Sequence, residues 1–163
     1  MTAAGQLILA GGGHSHALLL KRWAMRPERR PQHSITLVNR ASTALYSGMV
    51  PGLIAGLYKR DELAVDLRRL CERAGVAFMA AEIQGLDPDQ QLLHLEGRPS
   101  LQYGWLSLDV GAVSRASASG IPIKPLEPAL AFLKQQSPND LDPFRVIGAG
   151  AAPRPGHRSE TAL

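Results

Sequence analysis

Gln6-Leu-Ile-Leu-Ala10, running straight into Gly11-Gly-Gly-His-Ser-His16, is the stretch on which the fold turns. An almost wholly apolar run that stops at glycines has the pattern of a strand buried on both faces of a parallel sheet, since such a strand shows no polar side to water. From Ser15 the spacing becomes helical, with Leu18, Leu19, Trp23 and Ala24 apolar, and Pro27 ends the helix near Met25 or Arg26. Ser34-Ile-Thr-Leu-Val-Asn39 then reads as a second strand. Strand, glycine turn, helix and strand in that order make a βαβ unit, with the right-handed crossover that strand twist imposes.

The glycine turn also carries chemistry. Gly11 can take the tight bend, and Gly13 lets backbone approach a diphosphate with no Cβ in the way. The N–H groups of His14 and Ser15 open the helix, whose dipole favours an anion. This is the dinucleotide-binding fingerprint in its proper place between strand and helix, with one departure: His16 stands where a third glycine allows close helix–strand packing. The structural alternative is a plain glycine turn with no nucleotide. Asn39 closes the second strand, with Arg40 beside it, where an acidic residue ordinarily holds ribose hydroxyls. The Asn39 amide can both donate to and accept from a hydroxyl, and Asn is equally a common turn former.

Downstream, Tyr46-Ser-Gly-Met-Val-Pro-Gly52 is rich in turn formers and reads as a site loop, with a short helix toward Tyr58 interrupted at Gly56. Asp66 is placed to cap a helix that sets Leu67, Leu70, Cys71 and Ala74 on one face, and Gly75 is placed to end it. Val76 to Ala80 reads as the third strand. Ile83 to Leu86 and Leu92 to Leu95 flank an Asp87-Pro-Asp89 turn as a hairpin, and Trp105 to Val110 as a further strand. Pro and Ser thicken from Ser114 to Pro128, the mark of a connecting segment. Arg145-Val-Ile-Gly-Ala-Gly150 opens like a second strand and glycine turn, but Pro153 and Pro155 deny it a helix, and the last residues show no pattern. The expected organisation is therefore an α/β dinucleotide-binding part over 1–113, a connecting segment over 114–144, and the start of a second such motif with a divergent tail over 145–163.

Composition bounds the function. An apolar share of 45% over 163 residues suits a globular domain, and the net charge of +4 arises from Arg and Lys scattered along the chain. Pairs such as Arg29-Arg30 and Arg68-Arg69 do not make a basic block, which argues against a nucleic-acid binder. Cys71 is the only cysteine, so the chain builds neither an internal disulfide nor a Cys-x-x-Cys site, and its place on an apolar helix face makes it core. His14 and His16 are two apart on a helix and point away from each other, so no metal site is expected there. No run of about 18 apolar residues occurs, and Met1 to Gln6 lacks the basic region of a signal peptide. A cytoplasmic protein is expected, with peripheral membrane association left open.

Three separated stretches carry a resemblance: Gly11-Gly-Gly-His-Ser-His16, Tyr46-Ser-Gly-Met-Val-Pro-Gly-Leu-Ile-Ala-Gly56 and Gly120-Ile-Pro-Ile-Lys-Pro125. From Leu7 to about Ala152 the chain resembles the FAD-dependent pyridine nucleotide-disulfide oxidoreductase superfamily, and within it the type II NADH dehydrogenase-like group. The branch it looks most like is the module fused ahead of selenide, water dikinase in some bacteria. The resemblance implies a Rossmann-like FAD domain with an added hairpin, and hydride transfer from NAD(P)H to the flavin with electrons passed to a second acceptor. It implies that Gly11, Gly13, His14 and Ser15, with His16 in the same turn, hold the FAD pyrophosphate. Asn39 and Arg40 would face the adenosine ribose, Ile83 would offer backbone to adenine, and Ser47, Gly48, Met49 and Pro51 would lie toward the flavin. Of the family's Ala-Thr-Gly turn, the matching positions are Asp109, Val110 and Gly111, and only Gly111 is retained. A disulfide reductase is excluded for want of a cysteine pair. Because the match fails abruptly near Ala152, the expectation is a truncated chain, inactive alone, with a dikinase encoded downstream. A non-catalytic nucleotide-binding or protein-interaction module is the alternative.

Overall fold

Strand β1 (Gln6–Ala10) lies inside a four-stranded parallel sheet, hydrogen-bonded on both sides, as its apolar run requires. The structure is a computed structural model that describes residues 5–54 and 56–112, together with 126, 128, 130, 131, 145, 146, 161 and 162. Helix α1 (His14–Met25) follows the glycines, and β2 (Ser34–Asn39) pairs with β1 in parallel register, Leu7 opposite Ile35 and Ala10 opposite Val38. A short antiparallel pair, β3 (Thr43–Leu45) with β4 (Ala64–Asp66), encloses a 3-10 turn at Ser47–Met49, helix α2 (Val50–Ile54) and a second 3-10 turn at Arg60–Leu63.

Helix α3 (Leu67–Ala74) begins and ends as its sequence dictates. The Asp66 carboxylate accepts the Arg69 N–H at 2.9 Å. Gly75 takes φ +65° and closes the helix, its N–H donating to Glu72 O while that of Val76 reaches Cys71 O. Strand β5 (Ala77–Ala80) then adds to β2. Strands β6 (Ile83–Asp87), β7 (Leu92–Leu95) and β8 (Arg98–Gln102) form a separate antiparallel sheet before the chain returns as β9 (Trp105–Leu108) on the free side of β1.

The parallel sheet reads β5-β2-β1-β9. Period-two alternation gives its central strands, β1 and β2, two buried faces. Leu9, Ile35 and Leu37 face α1 and α3, where they join Leu20, Trp23, Leu67, Cys71 and Ala74. Ile8, Ala10 and Val38 face the antiparallel sheet, where they join Leu93, Leu95 and Tyr103. The result is three layers, helices on sheet on sheet. Fully buried leucines such as Leu20, Leu37, Leu67 and Leu93 each contribute about 1.5–3 kcal/mol by leaving water.

The βαβ unit, the capped α3 and the β6–β7 hairpin stand where the sequence puts them. Three strands do not follow from periodicity. β3 and β4 are three residues each, too short to show alternation. β8 is polar and carries Pro99, which a strand at the edge of its sheet tolerates because one side of its backbone needs no partner. The strand expected to reach Val110 ends at Leu108.

Contacts group the chain into two compact units, Met1–Val113 and Ser114–Leu163. In the second, positions 126, 128, 130 and 131 are helical, with Leu126 and Leu130 buried. Its β10 (Arg145–Val146) pairs antiparallel with β11 (Thr161–Ala162). Strand β10 thus begins where the sequence opens like a second strand, and β11 falls in the last residues, where the sequence shows no pattern. Two-residue strands are set by backbone pairing alone, which leaves no side-chain pattern to read. The expected linker at Ser114–Pro128, apart from positions 126 and 128, and the glycines at 148 and 150 lie outside the described residues. Among the described residues no helix is long and apolar enough to cross a membrane.

Burial of Cys71 in the helix-side core pushes its thiol up from 9.0 to about 11. A folded-state value raised above the unfolded one adds stability in full below pH 9.0, and that contribution is lost as pH climbs toward 11. Denaturant midpoints should therefore fall between those pH values in the native sequence and fall less in Cys71→Ala, and a thiol reagent should label Cys71 only after unfolding.

Candidate functional site

Parallel strands leave their carboxyl ends on one edge, and where neighbouring connections leave in opposite directions a crevice opens. In this sheet that switch point falls between β1 and β9, since β1 connects onward to β2 on one side while β9 lies on the other. The glycine turn after β1 and the Asp109–Gly111 turn after β9 meet there. Gly13 N–H donates to Asp109 O at 3.1 Å, and Asp109 N–H donates to Ala10 O at 2.8 Å.

Gly11 and Gly13 are each confined by Asp109, one by its backbone and one by its carboxylate, and Gly12 by Leu67 and Asn39. Gly11 sits at φ +93°, and a Cβ on it would strike the Asp109 carbonyl and lie 2.8 Å from Val110 Cα. A Cβ on Gly12 would strike the Leu67 side chain and approach Asn39 Cγ at 3.1 Å. A Cβ on Gly13 would strike the Asp109 carboxylate.

Polar side chains brace the turn from three elements. Asn39, at the end of β2, accepts the Gly12 N–H on Oδ1 at 2.9 Å and donates from Nδ2 to Ala41 O at 2.7 Å. His16 is buried, with Nδ1 2.7 Å from Gly11 O and Nε2 2.8 Å from Ser107 Oγ. A carbonyl only accepts, so Nδ1 carries the proton, and in the neutral ring Nε2 accepts the Ser107 hydroxyl. His16 thus does by hydrogen bonding what a third glycine does by absence: it ties α1 to β1 and β9. The His16 N–H, one of the helix's first amides, donates to Asp109 Oδ2 at 2.9 Å.

His14 and Ser15 are exposed at the start of α1, which has no side-chain cap, and among the described residues their N–H groups have no protein acceptor. The His14 ring stacks on Tyr46, centroids 4.7 Å apart and planes 19° apart. Through Tyr46, whose ring lies 2.8 Å from a Cβ built on Gly48, the loop of Ser47, Gly48, Met49 and Pro51 is anchored beside the turn. Arg40 is exposed next to Asn39. Ile83 opens β6 opposite Leu95 and packs with the sheet-side core. Gly111 sits at φ +78° with open space around it. A depression of about 400 Å³ lies elsewhere, lined by Thr43, Leu45, Arg60, Asp61 and Ala64, and takes no part in this edge.

The bracing roles of Asp109 and Ser107 were not legible in the sequence. Asp109 stood there only as a departure from a turn motif. A carboxylate closing a parallel strand next to a glycine turn was the signal available.

No family model and no curated protein matches the sequence. Solved structures do match in fold. Sulfide:quinone oxidoreductase from Aquifex aeolicus aligns with TM-score 0.53 and 21% identity over 64% of this chain and 24% of that one. Reduced CoADR-RHD from Bacillus anthracis aligns with TM-score 0.57 and 17% identity over 72% and 22%. NDH2 from Plasmodium falciparum, in complex with NADH, aligns with TM-score 0.55 and 14% identity over 71% and 24%. The chain therefore spans under a third of the length of the structures it resembles. What it shares with them is a Rossmann-like α/β fold.

Replacing His16 with Ala removes both ring contacts and leaves a cavity in the brace. Chemical denaturation should show a loss of about 2–4 kcal/mol, and nitrogen NMR of the native chain with neutral His16 should show the proton on its Nδ1.

Proposed function

We propose that this chain is the FAD-binding portion of an NAD(P)H-dependent flavoprotein oxidoreductase. The observation that carries the reading is the pair of unpaired amides, His14 and Ser15, at the head of α1, held over a glycine turn at the switch point of a parallel sheet. Two amides with a helix dipole behind them make a seat for a diphosphate, the group that joins the two halves of FAD. The fold neighbours are consistent with it, being named as oxidoreductases and, in one case, as a complex with NADH.

FAD bound there would supply the acceptance of hydride from NAD(P)H and the passage of electrons to a second acceptor. The chain's own residues hold and aim it. Gly11 bends the backbone, and His14 and Ser15 donate to the diphosphate. Arg40 and Asn39 stand at the end of β2 on the ribose side, Asn39 with its remaining acceptor capacity. The start of β6 at Ile83 offers backbone toward adenine. The 47–51 loop, fastened by the His14–Tyr46 stack, and Gly111 border the flavin side. The three motif stretches support kinship with the module that precedes selenide, water dikinase, and the lone buried cysteine supports a cytoplasmic setting.

His14→Pro tests the seat with little disturbance of the fold. Proline is suited to the first helical position, and Gly13 before it is already extended at φ −70°, ψ −177°. The variant loses one amide donor, so FAD affinity by fluorescence titration should drop about ten- to hundredfold with the melting temperature held. His14→Ala, which loses the Tyr46 stack as His14→Pro does but keeps the amide, should bind more tightly than His14→Pro and so isolates the amide's share. A native chain that shows no flavin absorption and takes up no added FAD would overturn the reading.

A further inference from the structure

In the dinucleotide fingerprint the second glycine clears space for phosphate. Here the space beside Gly13 is filled from within the chain. A Cβ built on Gly13 would collide with Asp109 Oδ1 and Cγ, while Oδ2 of the same carboxylate accepts the His16 N–H at 2.9 Å. Oδ1 has no donor among the described residues, and Asp109 is half-buried. A resident anion therefore sits at the positive end of α1, one residue along the helix from the amides that remain free.

We propose that Asp109 is a built-in competitor that sets the charge selectivity of this site: its carboxylate opposes a bound diphosphate, and seating one requires the carboxylate to leave Gly13. The inference rests on the reading of the turn as a diphosphate seat. Its physical basis is simple. A diphosphate at the His14 and Ser15 amides lies within a few ångströms of Asp109, in a half-buried setting where like charges are poorly screened. The His16 amide that Asp109 now satisfies is also one the ligand would otherwise share. The carboxylate stabilises the helix end when no ligand is present and weakens the site's hold on any doubly charged ligand.

Asp109→Asn separates charge from shape, since the amide keeps the volume and the oxygen that accepts the His16 N–H. In the full chain, FAD and inorganic pyrophosphate should each bind Asp109→Asn about tenfold more tightly than the native sequence, while riboflavin, which has no phosphate, binds both equally. Asp109→Glu, with its charge retained, should stay as weak as the native chain. Circular dichroism and a melting curve confirm that the variants are folded. If Asp109→Asn binds FAD and pyrophosphate no more tightly than the native chain, Asp109 is a brace only and the proposal falls while the diphosphate seat stands. If neither form binds FAD or pyrophosphate at millimolar concentration, the seat itself is wrong and the proposal goes with it.

Discussion

The close approach of two turns, Gly11–Gly13 after β1 and Asp109–Val110 after β9, is the constraint on which the rest depends. Backbone of the second turn occupies the space a side chain at 11 would need, and the Asp109 carboxylate the space one at 13 would need. Glycine is therefore demanded at 11 and 13 by the chain itself, before any ligand is considered. The approach also fixes the pairing of β9 beside β1, since the Asp109 N–H donates to Ala10 O and the Gly13 N–H to Asp109 O. Without it the fourth strand would lack its terminal register, and the crevice at the switch point would have one wall.

The layers follow from the same strand. β1 is apolar on both faces because helices cover one and an antiparallel sheet the other, so neither face can be polar without burying an unpaired group. Among the described residues the buried polar side chains are His16, bonded at both ring nitrogens, and Thr36 inside β2, and no buried side-chain polar atom lacks a partner. His16, which stands where the fingerprint has its third glycine, is accommodated because both its ring nitrogens find fixed partners.

Much of this was legible in the sequence, and the reasons differ by element. The βαβ unit announced itself by an apolar run, glycines and a change to helical period. α3 announced itself by Asp66 and Gly75, where one side chain caps and one missing side chain permits φ +65°. What could not be read were pairings between distant segments. Ser107 and Asp109 lie 91 and 93 residues from His16, and nothing local marks them as its partners. The same holds for Asn39. Its place at the end of β2 suggested a ligand contact, whereas its amide is first of all a clamp on Gly12.

That clamp and the Asp109 contact point to a general tension in such turns. A helix start leaves amides that need partners, from the protein or from water, in the absence of ligand. This chain meets part of that need internally, with Asn39 on Gly12 and Asp109 on His16, and leaves His14 and Ser15 to solvent. The amides satisfied internally preorganise the turn at no expense of ordering when a ligand arrives. They are also the amides a ligand cannot use without displacing a protein group. A neutral partner such as Asn39 does this with no electrostatic penalty toward an anion, while a charged one such as Asp109 carries a penalty in proportion to the ligand's charge. On the proposed reading, selectivity between phosphorylated and unphosphorylated ligands would depend on which acceptor the fold assigns to which amide, and the two strand ends carry opposite kinds.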